Sequence, residues 1–321
     1  MAVYTQVSNS ALAAFLADYE LGIPLSFKGI AEGVENSNYF LETDRGKFIL
    51  TLFEKRVRKE DLPFFIGLKQ HLADRDFPCP RPIPGRDGVA LRTLEGRPAV
   101  VVSFLPGLSL KTPRLDHCHA LGAALARLHA EASDFAMTRP NQLGPDSWPD
   151  LWSGRTKDAE ALQPGLARLI EDDIQETRRL TQASQDLPHG IIHADLFPDN
   201  AFFLEGGFAG VIDFYFACSD VLAYDLAICL NAWAFGSDGQ FDPAKGQALI
   251  AGYETVRKLM PQERHLLPAL ARGAALRFFL TRLIDWSETP ADALVKPHDP
   301  MDYAKRLAFH RTTRSASDYG A

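Results

Sequence analysis

The pattern of apolar residues changes once along the chain, near residue 105, and this change limits the folds that the chain can adopt. Before that point, apolar residues fall in short runs separated by turn residues, as strands require. These runs cover residues 26–31, 36–43, 47–54, 89–94 and 98–104. A helical repeat interrupts them at residues 59–74. We therefore predict that residues 1–104 form a β-rich lobe, a mostly antiparallel sheet with one inserted helix.

Residues 105–321 follow a different pattern, in which helical periodicity dominates. The predicted helices cover residues 114–131, 164–183, 221–235, 243–258, 262–285 and 300–310. A short β-rich patch lies between them, at residues 191–193, 201–204 and 208–212. The predicted fold class is therefore α+β, with a small sheet lobe followed by a larger, mostly helical lobe.

Charge and apolar content exclude several kinds of partner. The net charge of −7 argues against binding to nucleic acid or to a membrane surface, because both need a basic footprint. We find no secretory signal and no apolar stretch near the ~20 residues that a membrane helix requires. The four cysteines include no Cys-x-x-Cys pair, which indicates free thiols in a reducing, cytoplasmic environment.

The segment 193–200, His-Ala-Asp-Leu-Phe-Pro-Asp-Asn, carries the most specific chemical signal. Asp195 and Asn200 are five residues apart, and Asp213 follows at the end of an apolar strand. Phosphoryl transfer to an alcohol needs one carboxylate to orient the hydroxyl and accept its proton, and oxygen ligands to hold Mg²⁺ against the phosphates. We predict Asp195 as the base and Asn200 and Asp213 as the metal ligands.

The alternative is that these residues have no catalytic role and only form turns, since turns favour Asp and Asn. That alternative does not require His193, the fixed spacing and the second aspartate together. For His193 itself, a supporting role beneath the loop is the better interpretation.

The same motif, with Ile212-Asp213-Phe214, resembles the signature of the aminoglycoside-phosphotransferase and choline-kinase superfamily. More of the chain resembles one branch of it, the bacterial homoserine kinases of threonine biosynthesis. The matching segments include residues 29–39, 50–54, 215–218, 224–227, 231–233 and 276–282. This resemblance implies a protein-kinase-like, two-lobed fold, ATP and Mg²⁺ as cofactors, and L-homoserine as the small-molecule substrate. It also implies that Asp225 is a buried aspartate that braces the catalytic loop.

The resemblance suggests where ATP would bind in the first lobe. Gly33 allows close backbone approach to phosphates, and Asn36, Ser37 and Asn38 can donate hydrogen bonds to them. An ordinary hairpin turn is the competing interpretation of this segment. Thr51 stands where related kinases carry a lysine or arginine on the third strand. The segment that includes Ser103 and Leu105 resembles the hinge, whose backbone would pair with adenine.

The acceptor site should hold a carboxylate near the ammonium of homoserine and a basic group near its carboxylate. We expect Asp220 at the ammonium and either Arg277 or Arg282 at the carboxylate, with Tyr215 nearby. A surface ion pair is the competing role for each arginine.

Two alternatives remain open at this point. The acceptor could be choline, ethanolamine, an aminoglycoside or a sugar, or the chain could be a nucleotide-binding pseudokinase. The residues do not determine the oligomeric state.

Overall fold

A computed structural model describes residues 4–30, 36–54, 57–205, 207–290 and 296–320. By contacts between residues, the chain divides into two compact units. The N-terminal unit consists of Met1–Gly107, Phe135–Met137 and Ala209–Tyr215. The C-terminal unit consists of Leu108–Asp134, Thr138–Phe208 and Phe216–Ala321.

The N-terminal unit is built on a five-stranded sheet in which every neighbouring pair is antiparallel. Its strands are β1 (Pro24–Gly29), β2 (Asn36–Thr43), β3 (Gly46–Phe53), β4 (Arg92–Leu94) and β5 (Arg97–Ser103), in the order β1-β2-β3-β5-β4. Helix α1 (Asn9–Leu16) precedes the sheet, and helix α2 (Leu62–Ala73) connects β3 to the second half.

Turn chemistry and side-chain alternation explain this sheet. The β2–β3 hairpin closes at Thr43 and Gly46, with Gly46 at φ 152°, and the Asp44 carboxylate accepts the Ile23 amide at 2.7 Å. Leu41 and Leu50 are fully buried and share one core cluster with the apolar face of α1. This burial fixes the strand register, because a one-residue slip would expose these side chains.

The C-terminal unit is mostly helical. Its helices are α3 (Leu115–Glu131), α4 (Trp148–Trp152), α5 (Thr156–Leu162), α6 (Leu166–Thr181), α7 (Leu222–Trp233), α8 (Pro243–Glu254), α9 (Pro261–Glu288) and α10 (Met301–Thr312). Strands β6 (His189–Ile192) and β9 (Cys218–Val221) pair antiparallel. Strand β7 (Ala201–Leu204) is followed by β8 (Gly207–Val211), which runs from this unit into the other.

Helices α3 and α8 approach closely because each presents a glycine to the other. A Cβ atom on Gly122 would lie 2.0 Å from the Leu249 carbonyl oxygen, and one on Gly252 would lie 1.9 Å from the His119 carbonyl oxygen. This contact holds α3, and therefore His129 near its end, in a fixed place within the unit.

The structure also shows the state of the cysteines and the apolar character of the helices. Cys79, Cys118, Cys218 and Cys229 are all free and buried. Among the described residues, no helix combines the length and the apolar character needed to cross a membrane.

Candidate active site

The segment from His193 to Asn200 forms a loop between β6 and β7 whose backbone is held from several sides. Ala194 adopts a left-handed conformation with φ 62°, which is uncommon for a residue with a side chain. The amide of Asp195 donates to His193 Nδ1 at 3.3 Å, and the Asp195 carbonyl accepts from the Phe197 amide at 2.9 Å. These bonds turn the chain so that Asp195 remains partly exposed while His193 is fully buried.

Asp225, in the first turn of α7, braces this loop from within the core. One carboxylate oxygen accepts from the His193 amide at 2.7 Å, and the other accepts from the Ala194 amide at 2.9 Å. His129 Nε2 lies 3.1 Å from the same carboxylate. Burial alone would raise the pKa of Asp225, but the hydrogen bonds and charges from His129 and His193 outweigh it and leave the pKa lowered. Asp225 is therefore an anion inside the protein.

Arg277, on α9, reaches the same loop from the other direction. Its guanidinium donates to the carbonyl oxygen of Ala194, and the side chain is only 3% exposed. It also lies over the rings of Phe216 and Phe278, at 5.4 and 4.2 Å from their centroids. The surface ion pair considered as its competing role is wrong, because Arg277 is buried.

Asn200, at the end of the loop, is oriented by Asp195. Its side-chain nitrogen donates to the Asp195 carbonyl at 2.8 Å and to the Asp195 carboxylate at 3.2 Å. Since the NH₂ group is used in this way, the amide oxygen is the part of Asn200 left to meet a ligand.

Asp213 belongs to the N-terminal unit, where it follows β8 with φ 63°. In the same unit, Lys69 of α2 is 4% exposed, and its ammonium donates to the hydroxyl of Tyr215 at 3.3 Å. Burial lowers the pKa of Lys69 to about 8, although Cys79 and Asp213 act in the opposite direction. Burial raises the pKa of Tyr215, because it disfavours the charged phenolate, and the Asp213 charge acts in the same direction.

Ser37, Asn38 and Thr51, which were predicted to contact the ATP phosphates, lie in strands and have hydrogen-bond partners within the N-terminal unit. Ser37 accepts from the amides of Tyr4 and Thr5 and donates to Glu54 at 2.6 Å. Thr51, which is 4% exposed, donates to the amide oxygen of Asn38 at 2.8 Å.

The four remaining residues predicted for the nucleotide site lie in different parts of the chain. Asn36 is 5% exposed and its amide oxygen accepts from the Glu54 amide at 3.3 Å. Gly33 lies outside the described residues. Ser103 ends β5, where its hydroxyl accepts from the Arg81 amide at 2.9 Å, and Leu105 follows it, half-buried.

The predicted acceptor residues are also divided between the units. Tyr215 is in the N-terminal unit, whereas Asp220, Arg277 and Arg282 are in the C-terminal unit. Asp220 lies in β9, where its carboxylate accepts from Asn141 at 2.7 Å and from the Val221 amide at 2.7 Å. It lines a cavity of about 250 Å³, together with His189, Arg178 and Tyr224.

Arg282 lies one and a half turns beyond Arg277 on α9. It is 3.6 Å from the Asp302 carboxylate and lies over the ring of Tyr303 at 4.6 Å from the centroid. Burial lowers the pKa of its guanidinium. Arg282 thus already has an acidic partner on α10.

Lys69, His129 and Tyr303 were not assigned roles at the site from the sequence. Lys69 could have been found as a lysine on the apolar face of α2, beside Phe65, Leu68 and Leu72. His129, near the end of α3, is buried and bonds to Asp225, a contact that depends on long-range packing. Tyr303 of α10 gave no signal, because its position near the loop depends on long-range packing.

Comparison with known proteins places the chain in a family. Residues 26–259 match the model of the Phosphotransferase enzyme family. A solved amicoumacin kinase, in complex with AMP-PNP and Ca²⁺, has a TM-score of 0.67 at 16% identity, over 95% of this chain and 92% of that one. This likeness confirms the predicted α+β, protein-kinase-like fold.

Curated relatives match much more closely. A homoserine kinase of Hyphomonas neptunium is 60% identical over 100% of both chains. A homoserine kinase of Gluconacetobacter diazotrophicus is 56% identical, also over 100% of both chains. The chain therefore belongs to the phosphotransferase enzyme family, and within it to the homoserine kinases.

Proposed function

We propose that this protein transfers the γ-phosphoryl group of ATP to the side-chain hydroxyl of L-homoserine, giving O-phospho-L-homoserine. The observation that carries the proposal is the full-length identity of 60% with a homoserine kinase. The loop around Asp195 supports it, because that loop offers the groups that phosphoryl transfer to an alcohol requires.

In this proposal Asp195 accepts a hydrogen bond from the acceptor hydroxyl, and takes its proton as the bond to phosphorus forms. The proton moves late, because the transition state of phosphoryl transfer is loose and develops little charge on the attacking oxygen. Orientation is therefore the main contribution of Asp195. The bonds from Asp225 and Arg277 to the adjoining backbone hold the carboxylate in place.

Asn200 and Asp213 are proposed as ligands of Mg²⁺. The donor set fits this ion, because Mg²⁺ prefers amide and carboxylate oxygens and the Asn200 amide nitrogen is already bonded to Asp195. The assignment of Asp213 rests on the sequence motif. The chemistry supplied by bound Mg²⁺ would be neutralisation of charge on the phosphates.

The proposal is tested by ADP release over a panel of acceptors: L-homoserine, choline, ethanolamine, an aminoglycoside and a sugar. We expect turnover with L-homoserine and at least 100-fold lower kcat/KM with the others, since a site with paired charges rejects acceptors that leave them unmet. Asp195→Ala should abolish turnover while ATP still raises the melting temperature. Asp199→Ala, an exposed carboxylate in the same loop, is the matched control and should remain active. Turnover of choline without homoserine would contradict the proposed acceptor.

A further inference from the structure

Several buried polar atoms in the C-terminal unit stand out because no described residue hydrogen-bonds to them, among them Tyr224 Oη, Arg277 Nε, Tyr303 Oη and Arg306 Nη1. Buried donors without partners are rare in folded proteins, since each costs about 1–3 kcal/mol. Three of these, on Arg277, Tyr303 and Arg306, belong to α9 and α10 and are connected through two packed aromatic rings, Tyr303 and Phe278.

Tyr303, the first of these rings, is completely buried. The Arg306 guanidinium lies over it at 4.2 Å from the centroid, and the ring packs on Phe278 at 5.3 Å. The Arg277 guanidinium lies over the Phe278 ring, at 4.2 Å from its centroid. The two cations and the phenol hydroxyl therefore belong to one packed cluster, which we call the Tyr303 cluster.

The Tyr303 cluster carries excess positive charge. Among the described residues, no carboxylate lies within ion-pair distance of Arg277 or Arg306, whereas Arg282 next to them is partnered by Asp302 at 3.6 Å. Two guanidinium groups, one of them only 3% exposed, thus lack an acidic partner of their own. A buried positive charge of this kind is stabilised by an anion that enters from outside.

The cluster also adjoins the catalytic loop. Arg277 donates to the Ala194 carbonyl, one residue before Asp195. Burial raises the pKa of Tyr303, with Arg306 and Arg282 opposing and Asp195 adding to the effect, so the Asp195 charge reaches this hydroxyl. An anion bound here would lie beside the carboxylate that orients the acceptor alcohol.

From these contacts we infer that Arg277 Nε, Arg306 Nη1 and the Tyr303 hydroxyl form the subsite for the α-carboxylate of the acceptor amino acid. This inference rests on the proposed function and names the groups that make the enzyme select an amino acid over a simple amino alcohol. A carboxylate offers about four lone-pair positions to the three unmet donors. In homoserine the hydroxyl oxygen and the carboxylate carbon are four bonds apart, about 5 Å when extended. The carboxylate subsite therefore has to lie about 5 Å from the hydroxyl that Asp195 orients.

The test compares two acceptors that differ only in the carboxylate. L-Homoserine carries it, and 3-aminopropan-1-ol has hydrogen in its place. Tyr303→Phe removes one hydroxyl, and Arg306→Gln removes one charge. Each should lower kcat/KM for L-homoserine roughly 10- to 100-fold, mainly through KM, as for a lost hydrogen bond to a charged group. Neither should change kcat/KM for 3-aminopropan-1-ol.

Tyr19→Phe is the matched control, because Tyr19 is a buried tyrosine of the N-terminal unit whose hydroxyl is also unbonded among the described residues. It should leave both acceptors unchanged. An equal loss on both acceptors in Tyr303→Phe and Arg306→Gln would mean that these residues only support the fold, and it would overturn the inference. If one variant does not fold, as judged by circular dichroism, the other carries the test.

Calorimetric titration with L-homoserine separates this inference from the proposed function, since binding requires no turnover. Weaker binding to Tyr303→Phe and Arg306→Gln, by the same factor as the change in KM, is the expected result. The inference is overturned if neither substitution changes the binding of L-homoserine, or if the wild type does not bind it. If the wild type binds L-homoserine but does not phosphorylate it, the proposed function fails while the subsite stands.

Discussion

The Asp225 carboxylate accepts a hydrogen bond from the backbone amide of Ala194 at 2.9 Å, and Ala194 is the residue at which the loop adopts a left-handed conformation. Such a conformation costs of order 1–3 kcal/mol for a residue other than glycine and persists only where its surroundings hold it. The carboxylate of Asp225 supplies part of that hold, and its second oxygen fixes His193.

The first prediction concerns Asp225→Asn. The amide has the same shape, but it replaces one acceptor by an NH₂ group, which would face a backbone N–H. We expect the free energy of unfolding to fall by ~2–4 kcal/mol and kcat to fall more than KM changes. Urea unfolding and steady-state kinetics measure the two effects. In Asp238→Asn, an exposed turn residue, both should stay near the wild-type values, and an unchanged stability of Asp225→Asn would contradict this account.

The second prediction concerns the contact between α3 and α8. Gly122→Ala places a methyl group 2.0 Å from the Leu249 carbonyl oxygen, so the helices must separate. We expect a loss of at least ~2 kcal/mol in the free energy of unfolding. Gly67→Ala in α2 is the control, because its nearest neighbour would be at 3.5 Å. That variant should be neutral or up to ~1 kcal/mol more stable, since alanine favours helix over glycine. Equal effects of the two substitutions would refute the close approach.

The third prediction concerns His310 of α10 and the acid stability of the protein. Its Nε2 lies 2.9 Å from the Asn231 amide oxygen and its Nδ1 lies 2.8 Å from the Tyr319 hydroxyl. The Asn231 amide nitrogen is bonded to two carbonyls, so its oxygen faces the ring, and the neutral imidazole donates to it. Burial, with the charges of Arg306 and Arg272, lowers the pKa of His310 to about 3.

The sign follows from proton uptake. Between pH 6.5 and about 3 the unfolded chain binds a proton at His310 that the folded protein does not, so stability is lost as the pH falls through this window. His310→Gln should reduce the slope of unfolding free energy against pH there by up to about 1.4 kcal/mol per pH unit. Chemical denaturation from pH 7 to 4 measures the slope. The exposed His119→Gln should leave it unchanged, and a wild-type slope in His310→Gln would exclude this role.

The fourth prediction concerns Lys69, a cation buried in the N-terminal unit. Its pKa of about 8 lies below the ordinary 10.5, so burial of the charge costs stability at neutral pH. Lys69→Met should therefore raise the free energy of unfolding at pH 7 by ~1–3 kcal/mol. Between pH 8 and 10.5 the unfolded wild type holds the extra proton, wild-type stability rises with pH, and the advantage of the variant shrinks.

Urea unfolding at pH 7 and pH 10 checks this expectation, with the exposed Lys28→Met as the control. A destabilised Lys69→Met at pH 7 would show instead that the interactions of the ammonium with Asp213 and Tyr215 exceed the cost of its burial. That outcome would point to a role for Lys69 beside Asp213.

Local signals predicted much of the fold. The turn at Asp44-Arg45-Gly46 and the alternation around it predicted strands at 36–43 and 47–54, and the structure has Asn36–Thr43 and Gly46–Phe53. Helix 114–131 was predicted from its apolar repeat and is found at Leu115–Glu131. Helices α4 and α5 were missed because they are short, and α4 is fixed by burial of Trp148 in the tertiary structure. Strand β9 was missed because it pairs with β6, which is distant in sequence.

The features of the candidate site likewise fall into those that local sequence predicts and those that depend on tertiary packing. Asp195, Asn200 and Asp225 were singled out from one motif or one resemblance, and the structure shows that all three form hydrogen bonds with groups of one loop. The bond from Arg277 to Ala194 and the unmet hydroxyl of Tyr303 depend on how α9 and α10 pack, and no local pattern encodes that. Sequence alone does not distinguish Arg277 from Arg282, yet only Arg282 has an acidic partner among the described residues.

The bonds to the loop backbone from Asp225, Arg277 and Asn200 all arise within the C-terminal unit. The loop is thus preorganised: its conformational entropy is lost once, during folding, and not again in each catalytic cycle. In the proposed mechanism, the acceptor meets a carboxylate whose direction is set before it binds, so ordering of that group adds nothing to the barrier to phosphoryl transfer.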